Sequence, residues 1–309
     1  VIMKPPQQAP LSSYRMMELV GDCAPPGVVN VVTGGAPCGE ALVAHPLIPR
    51  LALIGSVPTG RAIARGAAER LKHVTLELGG KNACIIHADA DVDRAVAGAV
   101  AGMNFAWCGQ SCGSTSRLFV HETLHDRVVA GVLEAVRRFE PGLPTRPATT
   151  MGALISKVQL DKVERYIALG VEEGATLACG GSRPRDPALA GGWFMPPTVF
   201  IGVEPSMRVA REEIFGPVLC VLRWRDEARM LADVNAVDYG LSASIFTRDL
   251  ATAHRCAAQV DAGYVWINTT GRHFLGAPFG GYKQSGQGRE ESFDELLSYT
   301  QQKNVHVAL

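Results

Sequence analysis

No apolar run in this sequence approaches the ~20 residues that a membrane-spanning helix needs. Neither sign of charge is in excess, with 30 basic against 30 acidic side chains, so there is no electrostatic footprint for DNA, RNA or an anionic membrane surface. The N-terminus lacks the basic-then-apolar layout of a secretory signal, and it opens on Val1 instead of Met, as expected of a piece of a longer chain. Paired C-x-x-C elements are missing from the 8 cysteines (23, 38, 84, 108, 112, 179, 220 and 256). Cys108 and Cys112 lie one helical turn apart, but no histidine or second cysteine pair with ligand spacing stands beside them. No metal is expected, and reduced thiols in a cytoplasmic protein fit better. The sequence also has no G-x-G-x-x-G, no internal repeat and no low-complexity tail.

What is there is 309 residues, 47% hydrophobic and 19% charged, enough for about two domains and a sizeable core. Short apolar runs alternate with amphipathic segments, a pattern that predicts an α/β fold with parallel strands. Strands are expected at Val28–Val32, Leu51–Ile54, Val74–Leu76, Ala83–Ile86, Val218–Leu222, Ala243–Phe246 and Tyr264–Ile267. Helices are expected at Leu11–Val20, Arg61–Leu71 and Asp91–Asn104, the last capped by Asp89 or Asp91. A further helix carries the stripe Val128, Val129, Val132, Leu133 and Val136, and others lie near 156–173, 226–235 and 249–260. Gly180–Gly192, rich in glycine and proline, reads as an exposed loop.

The chemistry centres on Gly109-Gln110-Ser111-Cys112-Gly113-Ser114-Thr115-Ser116-Arg117, just before the apolar run Leu118-Phe119-Val120. Small neighbours let a carbonyl approach the sulfur, and backbone N–H groups can receive developing negative charge. The residues alone leave two readings open, a nucleophile or a small buried hydrophobe. Read with Leu76-Glu77-Leu78-Gly79-Gly80-Lys81, the segment closely resembles the aldehyde dehydrogenase superfamily. The likeness continues through Gly55-Ser56 and Gly60, Arg211-Glu212-Glu213-Ile214-Phe215-Gly216-Pro217-Val218, and Ala277-Pro278-Phe279-Gly280-Gly281-Tyr282-Lys283. Five blocks in the family's order exclude chance agreement. By the same likeness Val1-Ile2-Met3-Lys4-Pro5 is a strand inside the cofactor domain. Roughly the first third of a usual member, with the asparagine that shares its oxyanion hole, is therefore expected upstream of this chain.

The resemblance implies an aldehyde dehydrogenase-like α/β fold, with a partial Rossmann-type cofactor domain over 1–79 and a parallel-sheet catalytic domain over 80–280. Residues 281–309 would be a return segment and oligomerisation tail, serving a homodimer or homotetramer when full length. It implies oxidation of an aldehyde to a carboxylic acid with NAD or NADP, through a thiohemiacetal and thioester on Cys112, with Glu77 as the base for deacylation. The two leucines beside Glu77 should desolvate it and raise its pKa towards the working range, whereas a helix end, N–H groups or the cofactor should bias Cys112 towards the thiolate. Cofactor contacts are implied at Lys4, Gln7, Gly34, Gly55, Ser56, Gly60, Leu78, Glu213 and Phe215. Where the family commonly reads K-P-S-E, this chain has Lys4-Pro5-Pro6-Gln7. An amide in place of that carboxylate removes repulsion against a 2′-phosphate, so relaxed cofactor use is expected.

His273, Phe274 and Phe279 fall at the family's variable substrate loop, and their rings point to an apolar or aromatic aldehyde. Trp107 reads either as a tunnel wall or as a buried core residue. Of the rivals, a coenzyme A-acylating enzyme is disfavoured by Glu77, and a thiol hydrolase needs a histidine that is not near Cys112 in sequence. The alternative of another class is a non-catalytic remnant that binds nucleotide or mediates oligomerisation.

Overall fold

The computed structural model describes residues 1–309. Internal packing divides the chain into a smaller unit, Val1–Ala52 with Pro58–Val74, and a larger one, Leu53–Val57 with Thr75–Leu309. No helix is long and apolar enough to cross a membrane.

In the smaller unit β1 (Ile2–Met3) and β2 (Asn30–Val31) pair in parallel around the connecting helix α1 (Leu11–Val20). Helix α2 (Ala36–Ala44) rises from the Thr33–Gly39 run. It was not legible as a helix because that run is rich in turn residues, yet Pro37 stands in its first turn, where a missing N–H costs nothing. β3 (Arg50–Gly55) and β4 (His73–Leu78) begin here and end in the larger unit. Between them α3 (Val57–Ala68) starts earlier than expected and stops short of Leu71, whose φ of 51° leaves the helical region. Lys72 then closes the turn by donating its Nζ to the carbonyls of Val43 (2.6 Å) and His45 (2.7 Å).

The larger unit is built around two central strands, Ala83–Ile86 and Ser242–Phe246, in which every residue is buried, the mark of a sheet covered on both faces. β5 (Ala83–Ile86) is followed by α4 (Val92–Gly102), β6 (Arg117–His121), α5 (His125–Val136) and α6 (Lys157–Glu172). β7 (Thr176–Cys179), β8 (Thr198–Ile201), the single turn α7 (Arg208–Arg211), β9 (Val218–Trp224) and α8 (Glu227–Asn235) come next. After β10 (Tyr239–Gly240) come β11 (Ser242–Phe246), α9 (Leu250–Gln259), β12 (Tyr264–Ile267), β13 (Tyr282–Lys283), β14 (Gly286–Gln287) and α10 (Phe293–Ser298). Seven strands run in the order β12-β11-β5-β6-β9-β8-β7. All neighbours are parallel except β7 and β8, so the expectation of a parallel sheet needs correction at that edge.

Side chains alternate between the two faces with period two. Ala83 and Ile85, Phe119, and Cys220 and Leu222 enter one core with Leu160, Val163, Leu231 and Cys256 from α6, α8 and α9. Cys84 and Ile86, Leu118 and Val120, and Leu219 and Val221 enter the other, under α4 and α5. Asp91 caps α4 by accepting the Arg94 N–H, whereas Asp89 accepts from the Thr247 hydroxyl and the N–H groups of Arg248 and Asp249. Gly180–Gly192 is a loop broken by one 3-10 turn at Pro187–Leu189.

Candidate active site

Cys112 lies in the loop between α4 and β6, at the N-terminal edge of the large sheet. The loop turns back through the left-handed residues Asn104 (φ 53°), Cys108 (φ 57°) and Gly109 (φ 64°). The Asn104 carbonyl accepts the N–H of Trp107 (2.9 Å) and of Gly109 (3.0 Å). On the return, Thr115 N–H reaches the Gly102 carbonyl at 2.9 Å and Gln110 Oε1 accepts the Ile155 N–H at 3.0 Å. A Cβ on Gly109 would meet the Gly216 carbonyl oxygen at 2.2 Å. Gly109→Ala therefore combines backbone strain with a clash against main chain, and it should destabilise the unit by on the order of 3 kcal/mol or more. A denaturant melt reads this directly, and a variant within about 1 kcal/mol of the parent would show that the loop is slack.

Glu77 arrives on β4, whose partner β14 places Gly286 opposite it. A Cβ at Gly286 would meet the Leu76 carbonyl oxygen at 2.0 Å, so the two strands need glycine to come this close. Ser285, fully buried, donates its hydroxyl to the Gly79 carbonyl (2.7 Å) and accepts the Gly240 N–H (3.0 Å). The next residues bring three motifs together. Gly80 N–H donates to Glu213 Oε1 at 3.0 Å, and a Cβ on Gly79 would meet Glu213 Oε2 at 2.2 Å. On Gly80 it would meet the Cys112 carbonyl oxygen at 2.9 Å. The paired glycines of E-L-G-G-K thus let the Glu77 strand lie against both the cysteine loop and the Glu213 turn.

Glu77 is 3% exposed between the buried Leu76 and Leu78. Burial pushes its carboxyl up to about 7, a hydrogen bond from Cys112 opposes this, and the charges of Glu290, Glu213 and Glu291 add to the rise. Its Oε1 is buried without a partner. The expected rise of this carboxyl agrees with its burial, but Leu76 and Leu78, its immediate neighbours on β4, point to the opposite face, so the desolvation comes from the packed strand as a whole and not from them. The companion expectation for the cysteine needs correction. Burial and the adjoining Glu77 carboxylate push the Cys112 thiol up, and the one stabilising donor, the Gly113 N–H, does not outweigh them. A small-residue loop is in this case a desolvated one.

Carboxyl burial at Glu77 also bears on stability. The folded state holds this proton up to about pH 7, while the ordinary carboxyl releases it near 4.5. Between those values the native state binds the extra proton, so stability falls as pH rises through that window, by up to roughly 3 kcal/mol. Glu77→Gln should remove this slope and leave the fold more stable than the parent at pH 8. Equal urea midpoints for the two proteins at pH 8 would contradict the shift.

Glu213 is held in the same place, with its carboxyl raised chiefly by burial. The turn that follows puts Phe215 at a φ of 56°, and Gln159 at the start of α6 donates its Nε2 to the carbonyls of Ile214 (2.9 Å) and Phe215 (2.7 Å). Phe279 is buried against His273 and Tyr264 (ring centroids 4.5 Å and 5.4 Å), and His273 is paired with Glu291 at 2.8 Å. Phe274 is 60% exposed, and Trp107, at 66% exposed, is not a core residue. In the smaller unit Lys4 and Gln7 meet the glycine run at the start of α2. Gln7 Oε1 would touch a Cβ on Gly35 at 2.8 Å, Lys4 Cε lies 3.8 Å from one on Gly39, and a Cβ on Gly34 would strike Cys38. Gly60 is buried in α3, while Gly55 and Ser56 belong to the larger unit.

Asn82, Ser285 and Gln159 were not found by reading the sequence. Only Asn82 carried a signal, as an amide wedged between G-G-K and the apolar run of β5.

The fold, and the motifs quoted above, agree with the comparison to known proteins. The aldehyde dehydrogenase family model matches residues 1–305. The chain belongs to the aldehyde dehydrogenase family. It is 55% identical over 313 aligned positions to aldehyde dehydrogenase tropH of Talaromyces stipitatus, covering 100% of this chain and 61% of that protein. To a betaine aldehyde dehydrogenase of Mesorhizobium japonicum it is 44% identical, covering 99% of this chain and 63% of the relative. Among solved structures, an NAD-dependent aldehyde dehydrogenase from Sinorhizobium meliloti superposes with a TM-score of 0.94 at 41% identity, covering 99% of this chain and 61% of that one. An NAD+ complex of aldehyde dehydrogenase from Bacillus cereus gives 0.92 at 42% identity, covering 97% of this chain and 60% of the other. This family member thus spans about three-fifths of the length of these relatives.

Proposed function

We propose that this chain carries the nucleophile and base of an enzyme that oxidises an aldehyde to a carboxylic acid with a nicotinamide dinucleotide. The observation that supports it most is the buried Glu77 carboxyl, with Oε1 unpartnered, beside the Cys112 thiol whose acidity it affects. The residues present fit such a cofactor. Lys4, Gln7 and Gly34 in the smaller unit, with Gly60 at the first turn of α3, would hold its ribose and phosphate groups. In the larger unit Gly55, Ser56, Leu78, Glu213 and Phe215 stand at further cofactor positions of the family, and the buried Glu213 carboxylate beside Gly79 is a hydroxyl acceptor no Cβ obstructs. When bound, the cofactor supplies an acceptor for hydride. An amide at Gln7 leaves room for NADP as well as NAD. By this reading residues 1–79 are part of a cofactor domain, 80–280 the catalytic domain and 281–309 an oligomerisation tail.

The protein's own groups do the rest. Deprotonated Cys112 forms a C–S bond to the aldehyde carbon, whose π pair moves to oxygen and gives a thiohemiacetal. Re-formation of the C=O bond expels the hydrogen with its electron pair, leaving a thioester on the sulfur. Glu77 then accepts a proton from water as the water oxygen attacks the thioester carbon, and the C–S bond breaks with the pair returning to sulfur. Aromatic side chains at Trp107, His273, Phe274 and Phe279 favour an apolar or aromatic aldehyde. To test the reading, the chain is expressed alone and joined to its upstream coding sequence, and reduced cofactor is followed over an aldehyde panel. Aldehyde-dependent reduction of NAD or NADP is expected. None with either cofactor, in well-folded protein of both lengths, would refute it.

A further inference from the structure

Asn82 stands where E-L-G-G-K runs into β5, and it is 3% exposed. Its Nδ2 donates to the Cys112 carbonyl at 2.7 Å and to the Ser114 carbonyl at 3.1 Å, while Oδ1 accepts the Ser242 N–H at 3.1 Å. Both amide hydrogens are thus engaged. Turned over, the group would set its oxygen against two carbonyls and its NH₂ against an N–H, so the network fixes its orientation. The Asn82 backbone is itself tied into the sheet, its carbonyl accepting the Arg117 N–H at 3.1 Å. A buried carboxamide anchored on β5 and β11 therefore grips the nucleophile loop at the nucleophile itself.

The gripped carbonyl belongs to the peptide joining Cys112 to Gly113. In a planar trans peptide the C=O and N–H point in opposite directions, so tethering the one aims the other. The Gly113 N–H is the backbone group that opposes the rise of the Cys112 thiol. We propose that Asn82 is a positioning residue for the nucleophile: by holding the Cys112 carbonyl it fixes the orientation of the Cys112–Gly113 peptide, and with it the direction of the Gly113 N–H beside the nucleophile. This rests on the reading of Cys112 as the nucleophile. Asn82 touches no reacting atom and acts only through that peptide.

A residue that merely stapled the loop to the sheet would alter melting but not the thiol's acidity, so the test reads acidity. Iodoacetamide labelling of Cys112 is followed by peptide mass spectrometry across pH 7 to 10, keeping it apart from the other cysteines. In Asn82→Ala the log rate should run parallel to the parent's but displaced by about one pH unit, a roughly tenfold loss at each pH. Asn82→Ser, whose short hydroxyl cannot reach both carbonyls, is expected to show the same displacement and carries the test if the alanine variant does not fold. A folded Asn82 variant that labels at the parent's rate throughout would overturn the proposal, whatever happens to its melting temperature. The displacement in a protein that oxidises no aldehyde would support the positioning role and count only against the dehydrogenase reading.

Discussion

Cys112→Ser is expected to lower kcat for aldehyde oxidation by at least about 10⁴-fold, with little change in stability. Loss of a covalent nucleophile removes the whole two-step route, and such losses reach about 10⁶ where they have been measured in other enzymes. Serine places a hydroxyl on the same loop, but neither the Gly113 N–H nor a carboxylate titrating about 7 can generate much alkoxide from it. An oxygen ester is also a poorer substrate for the second step than a thioester. The exchange is nearly isosteric, and the loop is held by Asn104, Gln110 and Asn82, not by the thiol. Initial rates and a thermal melt, measured side by side, check both halves. A serine variant within tenfold of the parent's kcat would place the chemistry on another residue.

For Glu77→Gln the expected result is a separation of the two half-reactions. Turnover should fall about 10²- to 10⁴-fold, the range for loss of a general base, while one equivalent of reduced cofactor still forms in the first turnover. Acylation survives because Glu77 pushes the Cys112 thiol up, both through its charge and as its hydrogen-bond partner. An uncharged amide relieves that and leaves more thiolate at a given pH. The parent's kcat, where deacylation limits, should rise with pH below about 7 and level off above it, since Glu77 must be ionised to take a proton. The variant should lack this limb. Stopped-flow traces across pH measure burst and steady rate together. Loss of the burst along with turnover would assign Glu77 to acylation instead.

How much of this could be read from the chain depends on the range of the interactions. The central strands β5, β9 and β11 were legible because they are buried on both faces and so read as largely apolar runs. The edge was less so. β7 and β8 are joined across the glycine-rich Gly180–Gly192 loop, and nothing local to Thr176–Cys179 marks it as an antiparallel partner of Thr198–Ile201. The pairing of Cys112 with Glu77 followed from the family likeness, since the two are brought together by a close approach at Gly79 and Gly80 that has no local signature. Ser285 and Gln159 stayed hidden for the same reason, each acting through backbone carbonyls far away in sequence. Thiol acidity was misjudged because a helix end or backbone N–H groups were expected to favour the thiolate, whereas burial and the Glu77 carboxylate, which is distant in sequence, push the thiol up.

The most direct test of the Cys112–Glu77 assignment is to look for the acyl group itself. Glu77→Gln is mixed with an aldehyde and NAD or NADP, quenched in acid within the first turnover, digested and weighed. The Cys112 peptide is expected to gain the mass of the acyl group, one per reduced cofactor formed, and to lose it on treatment with hydroxylamine. Reduced cofactor appearing with an unmodified Cys112 peptide would contradict a thioester at this residue.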